Sequence, residues 1–190
     1  MNRLENWFCA TDFWRKITRE KLLPWILHGS PLGDHVLELG AGPGAATEGL
    51  KVCAGRVTSL EYDHKFAAGL GRRFGGTNVT VIQGDAAALP FPEKAFSAAI
   101  AILMLHHLCS AELQDRAFAE VYRVLRPGGI FLAGEIENSW LHRMVHVRST
   151  FVPVDPKAAP ARLRSAGFSD VTVAFGHGGF ALRAVKPLAH

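Results

Sequence analysis

The sequence predicts an α/β fold: a doubly wound, mostly parallel sheet of seven strands, with helices on both faces and an antiparallel hairpin at the C-terminus. From residue 35 to about residue 137, short apolar runs alternate with segments of helical periodicity. One run, residues 96–105, is continuously apolar, as expected of a strand covered on both faces. The last two runs are separated only by Gly176, His177 and Gly178, a spacing typical of a hairpin.

The first predicted element is a helix in the N-terminal segment. Apolar and aromatic residues recur there at helical spacing until Gly29, Ser30 and Pro31 end the pattern. At 190 residues the chain has the length of one domain. We therefore expect a single domain over residues 1–190, in which residues 1–34 form a helical cap and residues 35–137 form a ligand-binding core. Residues 138–190 would supply a substrate-side segment, a last helix and the hairpin.

The remaining elements follow in a regular order. Helices separate the predicted strands, because a parallel crossover needs a long connection, except that a turn-rich segment joins the third strand to the fourth. Ser110 should cap the helix that follows it, since a serine side chain accepts a hydrogen bond from the first turn. The core strands are predicted at 35–39, 56–61, 79–83, 96–105 and 129–135, the hairpin strands at 169–175 and 179–185, and the core helices at 44–54, 64–74 and 110–125.

Charge argues against a nucleic-acid partner. The net charge is +4, and the excess lies in residues 138–190, which hold seven basic and two acidic residues. Nucleic-acid binding usually needs a denser basic patch. The sequence therefore favours a small-molecule ligand.

Cysteine usage and hydropathy indicate the compartment. Cys9, Cys53 and Cys109 are odd in number and far apart, which argues against a disulfide framework or a metal site. No apolar run approaches the roughly 20 residues of a membrane span. We expect a cytoplasmic protein without a metal or a membrane partner; the sequence gives no indication of its oligomeric state.

Glycines lie where the first core strand meets the first core helix. In "VLELGAGPGAATEGL" they occupy positions 40, 42 and 44. Ligands of open α/β sheets bind beyond the carboxyl ends of the strands, where the strand order reverses. Glycine permits a sharp turn and a close ligand, and the helix that follows favours an anionic group. The pattern also satisfies the dinucleotide-binding fingerprint, and a purely structural turn is a further alternative.

Five motifs in order resemble the class I S-adenosylmethionine-dependent methyltransferases, specifically the small-molecule type that adds little to a Rossmann-like core. Ser97 departs from the pattern, because the family often carries Asp there. The resemblance makes residues 35–137 the cofactor-binding core. The motifs are "ELGAGPG" (38–44), Glu61 after the second strand, "GDAAALPF" (84–91), "LHHL" (105–108) and "LRPGG" (125–129).

The resemblance implies a role for the residues at the strand ends. Glu61 would accept hydrogen bonds from both ribose hydroxyls of S-adenosylmethionine, since a carboxylate is an acceptor only. Asp85 would accept from the adenine amine, and the Ala86 N–H would meet a ring nitrogen. Residues implied at the amino-acid end are Glu38, Gly40, Ala41 and Gly42; those implied beside the rest of the nucleoside are Tyr62, Leu89 and Leu103.

The implied function is transfer of a methyl group from the sulfonium to a small-molecule acceptor by in-line displacement, leaving S-adenosylhomocysteine. Catalysis of this kind depends mainly on alignment. Either His106 or His107 could be a general base for an acceptor that must lose a proton, and His106 is the selected candidate, although the pair could instead serve loop packing. The aromatic residues of the N-terminal segment and the segment 136–155 would select the acceptor.

Three alternatives stay open. An RNA or protein methyltransferase of the same fold would use the basic C-terminal quarter. An NAD(P)-dependent oxidoreductase of Rossmann fold is disfavoured, because no Tyr-x-x-x-Lys pair follows the fourth strand. The third alternative is a nucleotide-binding protein without catalysis.

Overall fold

The computed structural model describes residues 11–137 and 151–188. These residues contain seven strands in a single sheet with the order β3-β2-β1-β4-β5-β7-β6. The strands are β1 (His35–Leu39), β2 (Arg56–Glu61), β3 (Val79–Gln83), β4 (Phe96–Ile102), β5 (Leu125–Ile136), β6 (Ser169–Gly176) and β7 (Gly179–Val185).

The helices lie between these strands and before them. A π-helical turn, Thr18–Leu22, separates the first two, and a short 3₁₀ helix, Leu105–His107, follows β4. The α-helices are α1 (Asp12–Ile17), α2 (Leu23–Leu27), α3 (Ala45–Cys53), α4 (His64–Phe74), α5 (Ala111–Val124) and α6 (Ala159–Ser165). None of the helices in the described part of the chain is long and apolar enough to traverse a bilayer.

The strand order reverses between β1 and β4. The chain builds β1, β2 and β3 outward on one side and then returns to place β4 on the other side of β1, with all these pairs parallel. β5 continues the parallel part, and β7 pairs antiparallel with both β5 and β6. The predicted doubly wound sheet with a C-terminal antiparallel hairpin is confirmed, and its crevice lies at the carboxyl ends of β1 and β4.

Helices cover both faces of the sheet, as predicted. Phe118 of α5 and Leu163 of α6 belong to one buried cluster, whereas Leu50 of α3 and Leu70 of α4 belong to the other. Side chains alternate between these faces along β1. Val36 belongs to the cluster beneath α3, and the next residue, Leu37, belongs to the opposite cluster.

Three strands differ in their boundaries from those predicted. β4 ends at Ile102 rather than at residue 105, because Leu103 has φ of 52° and the 3₁₀ helix follows. β5 begins at Leu125, so "LRPGG" lies within the strand, and the register with β4 shifts at this irregular start. β6 extends through Gly176, which leaves His177 and Gly178, both with positive φ, as a two-residue hairpin turn.

Local capping follows the sequence. The Ser110 side chain accepts a hydrogen bond from the Leu113 N–H at 3.2 Å, as predicted for the start of α5. Ser97 stands where the methyltransferases often carry Asp. Its hydroxyl accepts a hydrogen bond from the His35 N–H at 3.0 Å and joins the starts of β1 and β4. Ser97 therefore has a structural role, distant from the carboxyl ends of the strands.

Candidate functional site

Two adjoining cavities lie at the carboxyl edge of the sheet. The larger has a volume of about 510 Å³ and is lined from the ends of β1, β2 and β3 and from the loop after β4. The smaller, of about 80 Å³, lies between the glycine loop and the N-terminal helical segment, including Trp14. Gly40, Gly42 and Leu103 line both cavities. A ligand with two chemically different ends could occupy both, with Leu103 at their junction.

The glycine loop is held against the end of β2. The N–H groups of Gly40 and Ala41 both donate to the Leu60 carbonyl, at 2.9 and 3.2 Å. Gly40 has φ of 67°, and a Cβ there would collide with the side chain of Met104. Glycine is therefore required at position 40 both for the turn and for the close approach of the loop after β4.

Glu61 ends β2 beside this loop and is only 7% exposed. Its Oε2 accepts a hydrogen bond from the Gly42 N–H at 2.7 Å, and its Oε1 accepts from the Asp63 N–H at 2.8 Å. Each carboxylate oxygen can accept a second hydrogen bond. The carboxylate is thus fixed in orientation while it lines the larger cavity.

Asp85 and Ala86 follow β3 and line the same cavity. The Asp85 Oδ1 accepts from the Ala87 N–H at 2.8 Å, which orients the carboxylate. Tyr62 lies at the rim and is 75% exposed. Leu89, the other residue expected beside the nucleoside, is buried in the core and does not line either cavity. The structure therefore brings Glu61, Asp85 and Tyr62 together but not Leu89.

Glu38 lies on the wall of the smaller cavity and is almost fully buried. Its Oε2 accepts from the hydroxyls of Thr47, at 2.7 Å, and Ser59, at 2.5 Å. Burial raises the pKa of Glu38 to about 7, the charge of Glu61 adds to the rise, and the two hydroxyl bonds oppose it. At neutral pH this carboxyl group exists in both protonation states.

His106 is buried behind the cavity wall, and its neighbour His107 lines the larger cavity instead. The His106 Nδ1 lies 2.5 Å from the Glu135 Oε2. The Glu135 Oε1 accepts from the N–H groups of Met104, at 3.0 Å, and Leu105, at 2.7 Å. The structure thus gives His106 a place in the support of the loop after β4, and it makes His107 the histidine that a ligand would meet.

Glu135 is the main residue of this site that the sequence interpretation missed, and of the two histidines it considered, it selected His106 over His107. Glu135 is one residue from the end of β5, so a carboxylate near the carboxyl end of a predicted core strand was available as an indication. Nothing comparable in the sequence indicates which of the two adjacent histidines of the 3₁₀ helix faces the cavity. Arg143 and Arg148 belong to the segment 136–155 that was expected to select the acceptor, and they lie outside the described residues.

Comparison with known proteins gives a family match. The sequence profile of the family described as "Methyltransferase domain" matches residues 37–133, which is half of the chain. A "Probable S-adenosylmethionine-dependent methyltransferase" of Mycolicibacterium smegmatis is 34% identical over 100 residues, or 53% of this chain and 37% of that protein. A "Probable ribosomal RNA small subunit methyltransferase A" of Haloarcula marismortui is 44% identical over 91 residues, or 46% of this chain and 30% of that protein.

Other relatives are named as sterol and demethylmenaquinone methyltransferases. The matched part of the chain spans about a third to a half of the length of the curated relatives that it resembles. Among solved structures, phosphoethanolamine N-methyltransferase 2 of Haemonchus contortus, in complex with S-adenosylhomocysteine, superposes with a TM-score of 0.76 at 16% identity, covering 97% of this chain and 57% of that one. At that identity the likeness concerns the fold alone.

Proposed function

Because this chain belongs to the methyltransferase domain family, we propose that it transfers a methyl group from S-adenosylmethionine to a small, largely apolar acceptor. The observation that carries the proposal is the arrangement of one cavity. The glycine loop after β1, Glu61 at the end of β2 and Asp85 after β3 all line it. Three consecutive strands thus contribute one element each to a site for a nucleoside.

The residues present fit the chemistry of this donor. Its ribose offers two hydroxyl donors to Glu61, whose oxygens each retain a free lone pair. Its adenine amine offers a donor to Asp85, and the base would lie between the cavity wall and the rim residue Tyr62. The amino-acid end would enter the smaller cavity, where Glu38 lies. The donor supplies a methyl group already activated on sulfur.

The chain itself then has to align the acceptor and exclude water. Residues after β4 line the rest of the larger cavity: Met104, Leu108 and Leu113 are apolar, and His107 and Cys109 are polar. Such walls favour an apolar acceptor and remove water from the path of attack. His107 is the described residue best placed to take a proton from an acceptor that must lose one.

The electrostatics of the lining favour a small neutral acceptor over RNA. The described residues that line the two cavities include neither lysine nor arginine. Two of the basic side chains in the C-terminal quarter are already paired within the protein. Arg162 donates to Asp115 and Gln114, and the buried Lys186 donates to the carbonyls of Tyr122 and Leu125. These two cations are unavailable as partners for a phosphate backbone.

RNA is the second candidate acceptor, because a ribosomal RNA methyltransferase is among the relatives. A screen with isotopically labelled donor separates the two readings. We expect label to enter small aromatic or quinone-like compounds and not total RNA. Label in RNA alone would refute the small-molecule acceptor while leaving the donor assignment intact.

The donor assignment predicts selective binding in calorimetric titrations. S-Adenosylhomocysteine should bind, because it keeps the nucleoside and the amino-acid end for which both cavities have partners. NAD(H) should show no binding heat at the same concentrations, since the smaller cavity has no room for a pyrophosphate and a second nucleoside. The reverse pattern would overturn the proposed function.

Glu61→Ala should weaken S-adenosylhomocysteine binding by about 1–3 kcal/mol, the scale for hydrogen bonds to a charged group. Glu61→Gln, which keeps the shape and one acceptor, should weaken it less. The same titration with Glu93→Ala, a change in an exposed turn, is the matched control for the loss of one carboxylate. Unchanged affinity in Glu61→Ala would remove Glu61 from the site.

A further inference from the structure

The wall of the smaller cavity includes a buried hydroxyl group, that of Thr18, which is not part of the glycine loop. Thr18 lines this cavity and is 2% exposed. Its hydroxyl has no hydrogen-bond partner within the part of the chain that the structure describes. Buried hydroxyls are nearly always hydrogen-bonded, because an unpaired one loses its bonds to water without compensation. An unpaired hydroxyl on a cavity wall therefore indicates a partner that the protein alone does not supply.

The backbone around Thr18 explains how the hydroxyl becomes unpaired. Thr18 is the first residue of the π-helical turn that interrupts the N-terminal helix. In a regular α-helix a buried threonine commonly bonds to a carbonyl three or four residues earlier, and Thr18 makes no such bond. Single π-helical turns frequently occur at functional sites. Threonine also has two accessible χ1 rotamers in helices, so rotation can exchange its methyl and hydroxyl groups at the cavity wall.

The surroundings of Thr18 suit a group that carries both charges. Ala45 and Ala46 line the same cavity and form the first turn of the nine-residue helix α3, where N–H groups without a partner inside the helix favour an anion. On the β1 side of the same cavity, the Glu38 carboxyl can accept hydrogen bonds from a cation. A carboxylate near Thr18 and an ammonium near Glu38 would satisfy both sides.

We propose that Thr18 is a donor-binding residue: its hydroxyl bonds to the carboxylate of the amino-acid end of S-adenosylmethionine, and the π-helical turn keeps that hydroxyl unpaired until the donor arrives. This inference rests on the proposed function. It assigns part of the donor site to the N-terminal helical segment, whose Leu23 and Ile26 pack in the core.

Two ligands distinguish binding at this end from a structural effect. S-Adenosylhomocysteine carries the amino-acid group, whereas 5′-methylthioadenosine has the same nucleoside and thioether without it. In Thr18→Val, which keeps the shape and removes the hydroxyl, the affinity for S-adenosylhomocysteine should fall about tenfold, the scale of one hydrogen bond to a charged group. The affinity for 5′-methylthioadenosine should stay unchanged, and Thr18→Ser should retain most of the affinity for S-adenosylhomocysteine.

The ligand-free proteins give a second measurement. Thr18→Val should have a melting temperature equal to or above that of the wild type, because it removes an unpaired buried hydroxyl. Equal losses of affinity for both ligands, or unchanged affinity for S-adenosylhomocysteine, would overturn the role of Thr18 while leaving the proposed function in place. A wild-type protein that binds neither ligand would instead overturn the proposed function.

Discussion

Replacing Glu135 with alanine should lower the free energy of unfolding by about 3–5 kcal/mol, because it removes the acceptor of three hydrogen bonds at once. Glu135 accepts hydrogen bonds from the N–H groups of Met104 and Leu105, and its second oxygen contacts His106. All three groups would lose this acceptor, and the bonds made by Leu105 and His106 are fully buried. Each donor left unpaired costs about 1–3 kcal/mol.

Urea unfolding monitored by circular dichroism measures this change. Glu135→Gln should lose much less stability, because its amide oxygen still accepts from the two backbone groups. Glu93→Ala, in an exposed turn, should change stability by no more than about 0.5 kcal/mol. A loss in Glu135→Ala as small as that of Glu93→Ala would show that the loop after β4 does not depend on this carboxylate.

Replacing Glu38 with glutamine should remove a pH dependence of stability worth about 3 kcal/mol, since the rise of its pKa from 4.5 to about 7 corresponds to 1.36 kcal/mol per unit. Below the unfolded-state pKa, both states carry the proton and Glu38 imposes no penalty. As the pH rises toward 7, the unfolded chain loses this proton while the folded protein retains it. The contribution to stability is therefore lost between about pH 4.5 and pH 7, and the loss is complete above pH 7.

Denaturant unfolding at pH 5 and pH 8 gives the comparison. From pH 5 to pH 8, the ionisation of Glu38 should lower the free energy of unfolding of the wild type. Glu38→Gln lacks this effect, so its stability at pH 8 relative to pH 5 should be higher than that of the wild type. Glu93→Gln removes a carboxylate from an exposed turn and controls for the change in overall charge. Identical differences in the wild type and Glu38→Gln would contradict a raised pKa at Glu38.

The sequence is sufficient for the sheet because the pattern repeats over many residues. The burial of the centre of β4, residues 98–101, follows from the apolar run that begins at Phe96. The position of Glu61 follows from strand geometry, because the last residue of β2 must lie beside the loop that follows β1. Elements of this kind depend on periodicity and on parallel pairing, and both can be read from the chain.

The remaining features depend on packing that sequence periodicity does not encode. The end of β4 is set by the left-handed backbone of Leu103, whose N–H donates to the Gly134 carbonyl at 2.8 Å. The burial of His106, in contrast to the position of His107 on the cavity wall, goes with the contact between His106 and Glu135, 29 residues further along the chain. The π-helical turn at Thr18 likewise has no marker comparable to a glycine or a proline at its start.

The position of Glu38 has a consequence for how the protein would respond to its surroundings. On the proposed mode of binding, the ammonium group of the donor arrives beside a carboxyl that is half protonated near pH 7, and it favours the ionised form. Capture of the donor would then release a proton to the solvent. The affinity for the donor would increase as the pH rises, and it would level off once Glu38 is already ionised in the empty site. A buried acid that takes no part in bond making would thus make methyl-donor uptake sensitive to pH.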